Sequence, residues 1–219
     1  LSEAYVMDMM RTCVKNRWQI NVHANGDEAI EQMIRCYQSV LEETGSDRDL
    51  RPVVIHCQTV REDQLARMKE IGMVASFFLD HVYYWGDYHY ESVLGPERAE
   101  RISPARSALK HGVSFTLHQD SPVAPPDVMG AVHNAVNRKT EKGRVLGQEQ
   151  TITVMEALKA VTLNGAYQIF EEDKKGSIEV GKTADFAVLE RNPLTVPKEE
   201  IREIKVLETI KSGETIFRR

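Results

Sequence analysis

The sequence has few cysteines, no long apolar run and no excess of positive charge. Its three cysteines, Cys13, Cys36 and Cys57, are widely spaced and form no C-x-x-C pair, so neither a disulfide framework nor a cysteine zinc site is predicted. Three unpaired thiols are typical of a reducing compartment, and we expect a cytoplasmic location. The most apolar stretch, residues 73–79, is far shorter than the ~20 residues of a membrane-spanning helix, so no membrane partner is expected.

The charge balance excludes a further class of partner. The 28 basic residues are outnumbered by 33 acidic ones, which gives a net charge of −5. Surfaces that bind nucleic acids are normally basic, so we expect no nucleic-acid partner. With 42% hydrophobic and 28% charged residues, the composition is that of a globular domain.

The sequence alternates between two hydrophobic periods along most of its length. Four short runs have the pattern of β-strands: residues 18–23, 53–57, 73–78 and 113–119. Helical spacing is found over residues 2–16, 26–43, 61–71, 103–111, 128–138 and 153–170. Strands separated by helices predict an α/β fold of parallel βα units with right-handed crossovers. An aromatic segment, residues 81–90, is expected to form a long loop after the third strand.

The composition changes at residues 174–176. Short runs rich in β-forming residues follow at 186–189, 204–211 and 215–217. We therefore predict an all-β segment after the βα units.

Polar residues are predicted at the ends of three strands. His23 and His56 end the first two, and Asp120 follows the fourth. The carboxyl ends of parallel strands meet at one edge of a sheet, and barrel enzymes hold their catalytic residues there. Two neutral imidazoles and one carboxylate are suitable ligands for zinc. The alternative is structural: a histidine that ends a strand is often only hydrogen-bonded, and an aspartate after a strand often caps a helix.

Several motifs resemble those of a known family. They are V-H-A-N-G-D (22–27), V-I-H-C (54–57), L-H-Q-D-S-P-V (117–123) and the segment 176–190. Together they resemble the later half of the amidohydrolase superfamily. L-G-P-E-R-A (94–99) and P-A-R-S-A-L-K-H-G-V (104–113) are similar to the amidohydrolase 3 group, which includes N-substituted formamide deformylases and proteins labelled exoenzyme regulatory.

The resemblance implies a fold and a domain division. Residues 1–174 would form strands 5–8 of a metal-dependent hydrolase (β/α)₈ TIM barrel. Residues 175–219 would form the small C-terminal β segment. The chain begins without Met and directly in helical spacing, so we expect it to be the C-terminal part of a longer protein.

The resemblance also implies roles for individual residues. His23 matches the metal-binding histidine of barrel strand 5, and His56 matches that of strand 6. Asp120 matches the aspartate of strand 8, which in the family binds metal and acts as general base. His118 stands where most of the group has glycine, so it is either a substrate-binding residue or a residue that fills the polar interior. His81, in the aromatic segment, is a second candidate for substrate binding.

The family's H-x-H pair is absent, because none of the seven histidines forms it. We expect a divalent metal in the full-length protein, for which the resemblance implies zinc, and no tightly held metal in these 219 residues alone. The implied partner is a small-molecule substrate. The implied activity is hydrolysis of a non-peptide C–N bond, in an amide or formamide-like group, by a metal-activated water with Asp120 as general base. The alternatives are a regulatory or binding protein on an inactive scaffold and, on the same scaffold, a phosphotriester hydrolase.

Four strands cannot close a barrel that needs eight. The edges of such a sheet and its inner face, on which we place Val54, would be open to another chain. We therefore expect a homo-oligomer.

Overall fold

A parallel four-stranded sheet forms the centre of the computed structural model, which describes all residues 1–219. The strands are β1 (Asn21–Ala24), β2 (Val53–His56), β3 (Val74–Phe77) and β4 (Phe115–Leu117). They lie side by side in chain order, and every neighbouring pair is parallel. The predicted parallel βα arrangement is therefore confirmed.

Each strand is shorter than predicted. In the first strand, the end of the preceding helix accounts for the difference. Arg17 adopts the left-handed conformation (φ 60°) at the end of the first helix. The Trp18 N–H then donates to the Cys13 carbonyl, with N and O 2.9 Å apart. Trp18 is thus held at a helix end, where it is 60% exposed. Its predicted place in a strand was wrong.

Helices alternate with the strands. They are α1 (Glu3–Asn16), α2 (Asp27–Thr44), α3 (Glu62–Glu70), α4 (Asp80–Tyr83), α5 (Gly86–Tyr88), α6 (Gly95–Ala99), α7 (Ala105–His111), α8 (Val128–Asn137), α9 (Val154–Val161) and α10 (Leu163–Gln168). A π-helical turn covers His89–Val93, and short 3₁₀ helices cover Gln148–Gln150 and Lys198–Glu203. None of the helices combines the length and the apolar character that crossing a membrane requires.

Two expectations about the helices were wrong. The aromatic segment 81–90 is not a loop but a succession of helical turns, from α4 to the π-helical turn. The predicted helix 153–170 is divided at Thr162, whose backbone (φ −127°, ψ −89°) is not helical. Thr162 separates α9 from α10 and allows both helices to pack against β4.

The main core lies on one face of the parallel sheet. Val54, Ala75 and Phe115 are neighbours in register across β2, β3 and β4, and all three are buried in this core. Ile30 of α2 and Leu65 of α3 belong to the same core. The expectation that Val54 would lie on an open inner face was wrong, because its side chain is fully buried. The homo-oligomer predicted from that open face stays a prediction.

A second, antiparallel sheet confirms the all-β segment. Its strands are β5 (Phe186–Leu189), β6 (Val206–Lys211) and β7 (Glu214–Arg218), in the order β5-β6-β7. The 3₁₀ helix Lys198–Glu203 between β5 and β6 packs on α8. Its Ile201 is fully buried in the main core. The domain division between residues 174 and 175 stays a prediction.

Candidate metal centre

Three side chains from the ends of β2 and β4 converge. His56, His118 and Asp120 each place a possible ligand atom within 4.8 Å of the other two. The Nδ1 atom of His56 is 3.2 Å from the Nε2 atom of His118. His56 is buried, His118 is partly buried and Asp120 is exposed. The cluster is therefore open to a small molecule on the side of the carboxylate.

The backbone at two of these residues explains how they meet. In a regular strand His56 would share the face of Val54, which lies in the apolar core. His56 instead has a φ of 70° and Asp120 a φ of 50°, a left-handed conformation that costs a non-glycine residue about 1 kcal/mol or more. This conformation ends the alternation of β2, and the His56 ring lies beside those of His118 and His23. Strain of this kind is concentrated at functional sites.

The donor set fits a zinc ion. Tetrahedral zinc with Zn–N distances of about 2.0–2.1 Å holds two imidazole nitrogens about 3.3 Å apart, close to the 3.2 Å between His56 and His118. Burial lowers the pKa of His56 and lowers that of His118 to about 4. Both rings are therefore neutral near pH 7, which is the form that binds metals.

A chain of hydrogen bonds orients His118. Its Nδ1 atom is 2.9 Å from Ser76 Oγ, the Ser76 and Thr116 hydroxyls are 3.0 Å apart, and Thr116 donates to Gln168 Oε1 at 2.7 Å. If Thr116 donates to Gln168, Ser76 can donate to Thr116 and accept the Nδ1–H of His118. That tautomer leaves the Nε2 lone pair free to face His56. Histidines that bind metals are commonly oriented by such a partner on their second nitrogen.

His23 lies next to the cluster but is not one of the three converging residues. Its ring centroid is 4.7 Å from that of His56, in an edge-to-face arrangement. In register across the sheet, His23 of β1 is in line with Ile55 and Ser76. The structure therefore places His23, His56 and Asp120 at the same edge of the sheet, and the metal-ligand role of His23 stays a prediction.

The predicted substrate-binding residue His81 lies in an aromatic wall beside the cluster. Its ring centroid is 5.5 Å from that of His56, 4.7 Å from that of Phe78 and 6.1 Å from that of Trp85. Burial lowers the pKa of His81 to about 3. Its Nδ1 atom is buried and has no hydrogen-bond partner. His81 is therefore a neutral imidazole beside the cluster, and its substrate-binding role stays a prediction.

Two residues of the site were missed by sequence reasoning. Ser76 is the partner of His118, and the ring of Phe78 stacks on that of His118 with centroids 5.5 Å apart and planes 18° apart. Both come from the segment M-V-A-S-F-F, for which we predicted a strand and no site residue. The single hydroxyl in this apolar run was the available signal.

Comparison with known proteins identifies the family of the chain. A family model described as "Amidohydrolase family" matches residues 1–217. The chain belongs to the amidohydrolase family. The resemblance inferred from the sequence motifs is thereby confirmed.

Curated relatives of the amidohydrolase chain are considerably longer. It is 29% identical to the N-substituted formamide deformylase of Arthrobacter pascens over 214 residues, which is 97% of this chain and 39% of the relative. It is 30% identical to Protein LONG AFTER FAR-RED 3 of Arabidopsis thaliana over 205 residues, which is 93% of this chain and 35% of the relative. The chain thus spans between a third and two fifths of the length of these two relatives.

Solved structures confirm the fold class. The crystal structure of an uncharacterized metal-dependent hydrolase from Pyrococcus furiosus superimposes with a TM-score of 0.74 at 24% identity, over 89% of this chain and 38% of that one. An amidohydrolase from Thermotoga maritima superimposes with a TM-score of 0.66 at 22% identity, over 94% of this chain and 45% of that one. The four parallel strands and the small antiparallel sheet match part of the amidohydrolase TIM-barrel architecture.

Proposed function

We propose that this chain supplies one side of the active site of a metal-dependent hydrolase that cleaves a non-peptide C–N bond in an amide or formamide-like group. The observation that carries the proposal is the convergence of His56, His118 and Asp120, with the facing imidazole nitrogens 3.2 Å apart. The name of the Arthrobacter relative, a formamide deformylase, supports the choice of bond.

Each residue has a separate role in this proposal. His56 and His118 would hold a divalent ion, with His23 as a further ligand. A bound zinc ion would supply Lewis acidity and a water of lowered pKa. Asp120 accepts the proton of the attacking water and returns it to the leaving nitrogen, as a positioned carboxylate can do. Because Asp120 is the exposed member of the set, it is also the one that substrate can reach.

The aromatic wall has a role in substrate binding. Phe78, His81 and Trp85 form consecutive ring contacts beside the two imidazoles. A planar or apolar substituent on the scissile group would pack against these rings. The His81 imidazole would contact the same substrate.

The experiment compares two carboxylates in the full-length protein. Zinc content is measured by elemental analysis, and hydrolysis is assayed with N-substituted formamides, simple amides and a phosphotriester. We expect Asp120→Asn to reduce kcat on the C–N substrates by about 10²–10⁴-fold. Asp173→Asn, at an exposed position, is the control and leaves kcat unchanged.

Three outcomes contradict the proposal in different ways. Near-normal turnover in Asp120→Asn removes the general-base role. Zinc binding without hydrolysis of any substrate favours the regulatory or binding protein. Hydrolysis of the phosphotriester but not of the amides changes the bond that is cleaved.

A further inference from the structure

The helical turn that carries His81 is held in place by residues that are distant in sequence. The turn is α4, which follows β3 and begins at Asp80. His81 makes ring contacts, but its buried Nδ1 atom has no hydrogen-bond partner. The position of its ring at the site therefore depends on what fixes α4.

Asp80 is the first residue of this turn, and its side chain anchors the turn to α8. Its side chain is buried, and its Oδ1 atom accepts a hydrogen bond of 2.6 Å from Nδ2 of Asn134. Asn134 lies on α8 and is fully buried. Its other amide atom, Oδ1, accepts a hydrogen bond of 2.8 Å from Nη2 of Arg202. The two partners fix the orientation of the Asn134 amide, because its donor faces an acceptor and its acceptor faces a cation.

Arg202 also contacts α4 directly. Its guanidinium lies 3.6 Å from the centroid of the Tyr83 ring, a cation–π contact with the last residue of the turn. Arg202 therefore acts on both ends of α4, on Asp80 through Asn134 and on Tyr83 through the ring. The segment that carries Arg202 is itself anchored, because Ile201 is buried in the main core and Asn137 donates to the Lys198 carbonyl at 2.9 Å.

The charges in this group favour the same arrangement. Burial raises the pKa of Asp80 to about 6, and the nearby carboxyl of Asp127 acts in the same direction. The cation of Arg202 and the hydrogen bond from Asn134 oppose that rise. Arg202 is the only cation among these groups, so without it the charge of an ionised Asp80 would be unbalanced.

We propose that Arg202, Asn134 and Asp80 are positioning residues that set the orientation of His81 at the active site. The 3₁₀ helix Lys198–Glu203 of the C-terminal segment thereby controls how tightly substrate binds. The effect on substrate binding depends on the proposed function. The effect on the His81 ring does not, because it follows from contacts within the chain.

The experiment removes the guanidinium of Arg202 and observes the imidazole of His81. In the full-length protein, Arg202→Met keeps an unbranched side chain of similar length over Tyr83 but cannot donate to Asn134. The matched control is Arg191→Met, because Arg191 pairs with Glu200 and approaches Glu203 of the same 3₁₀ helix. Imidazole ¹H–¹⁵N NMR spectra are recorded with ¹⁵N-labelled histidine, and the His81 signal is identified by its loss in His81→Gln.

We expect Arg202→Met to shift the His81 signal and to leave unshifted the signal of His111, which bonds to Glu62 away from the site. Arg191→Met should shift neither. KM for the C–N substrate should rise roughly 10-fold in Arg202→Met, with kcat and zinc content nearly unchanged. Arg202→Lys keeps the charge and should give a smaller shift of His81 in the same direction.

An unshifted His81 signal in folded Arg202→Met would overturn the inference whether or not the protein is an enzyme. If Arg202→Met does not fold, an unshifted signal in Arg202→Gln, which removes the charge over Tyr83, overturns it equally. A shifted signal in a protein that hydrolyses nothing supports the positioning role and refutes only the proposed function.

Discussion

Phe77 and Phe78 are adjacent in sequence and almost equally buried, yet they lie in different parts of the molecule. The Phe77 ring packs 5.6 Å from that of Phe115 in the main core. The Phe78 ring lies 5.9 Å from that of His56 and 5.5 Å from that of His118. The comparison shows that burial alone does not separate a packing residue from one that lines a site, whereas the face of the sheet does.

The same contrast extends across the whole sheet. One register row, Val54, Ala75 and Phe115, is apolar and covered by helices. The adjacent row contains His23, Ser76 and Thr116. Parallel sheets are usually apolar on both faces, so polar side chains on one face need a specific explanation. Here Ser76 and Thr116 orient the imidazole of His118 through their hydrogen bonds.

The largest expected effect is on the free energy of unfolding, and it comes from a residue on the apolar face of the sheet. Phe77→Ala should lower the free energy of unfolding by about 3–5 kcal/mol, because it leaves a cavity in the main core. Zinc affinity per folded molecule should hardly change. Phe78→Ala should also destabilise the protein, but it should shift the His118 imidazole signal as well. Denaturant unfolding and histidine NMR of the two variants test this difference, and equal NMR shifts in both would contradict it.

The second prediction concerns which imidazoles bind metal. In the full-length protein, His118→Ala should weaken zinc binding by more than about 100-fold, because loss of a direct ligand costs more than loss of an outer partner. His23→Ala, which removes a neighbour of His56 outside the converging set, should weaken it less. His111→Ala is the control and should leave zinc affinity unchanged. Competition with a chromophoric chelator gives the three affinities. A larger loss in His23→Ala would support the ligand set that was predicted from the sequence, which is His23, His56 and Asp120.

The sequence predicted the type and order of most elements because hydrophobic period is a local property. It also predicted that His56 and Asp120 lie at one edge of the sheet, because the ends of the strands can be located from the same period. It did not predict that Val54 and His56 lie on opposite faces, because the left-handed φ of 70° at His56 overrides the alternation of the strand. Nothing local marks the partners of Asp80, because Asn134 is 54 residues away and Arg202 a further 68.

The third prediction uses the raised pKa of Asp80. Its carboxyl has a pKa of about 6 in the folded chain, against an ordinary value of 3.8, mainly because of burial. The folded state therefore binds the proton more tightly than the unfolded state. Protonation of Asp80 stabilises the fold fully below about pH 4, and this stabilisation is lost as the pH rises through 6. Asp80→Asn keeps an acceptor for Asn134 and does not titrate.

The stability of Asp80→Asn relative to the unmodified protein should therefore increase between pH 4 and pH 7. The increase should be on the order of 2 kcal/mol. Urea unfolding at several pH values measures it, and Asp173→Asn at an exposed position is the control. A difference that stays constant across this range would show that the pKa of Asp80 is not raised.

The smallest expected effect tests the polar row itself. Ser76→Ala removes the partner of His118 Nδ1 but leaves the ring and its packing. Zinc affinity should fall roughly 10-fold, the lower end of what the loss of an outer hydrogen bond costs, and the free energy of unfolding should fall by only about 1 kcal/mol. Ser177→Ala, at a serine that bonds Glu179 in the C-terminal segment, should change neither. If Ser76 acts through His118, adding Ser76→Ala to His118→Ala should weaken zinc binding no further. An additional 10-fold loss in the double variant would show instead that Ser76 acts on the metal site by another route, and that the polar face does not work by orienting His118.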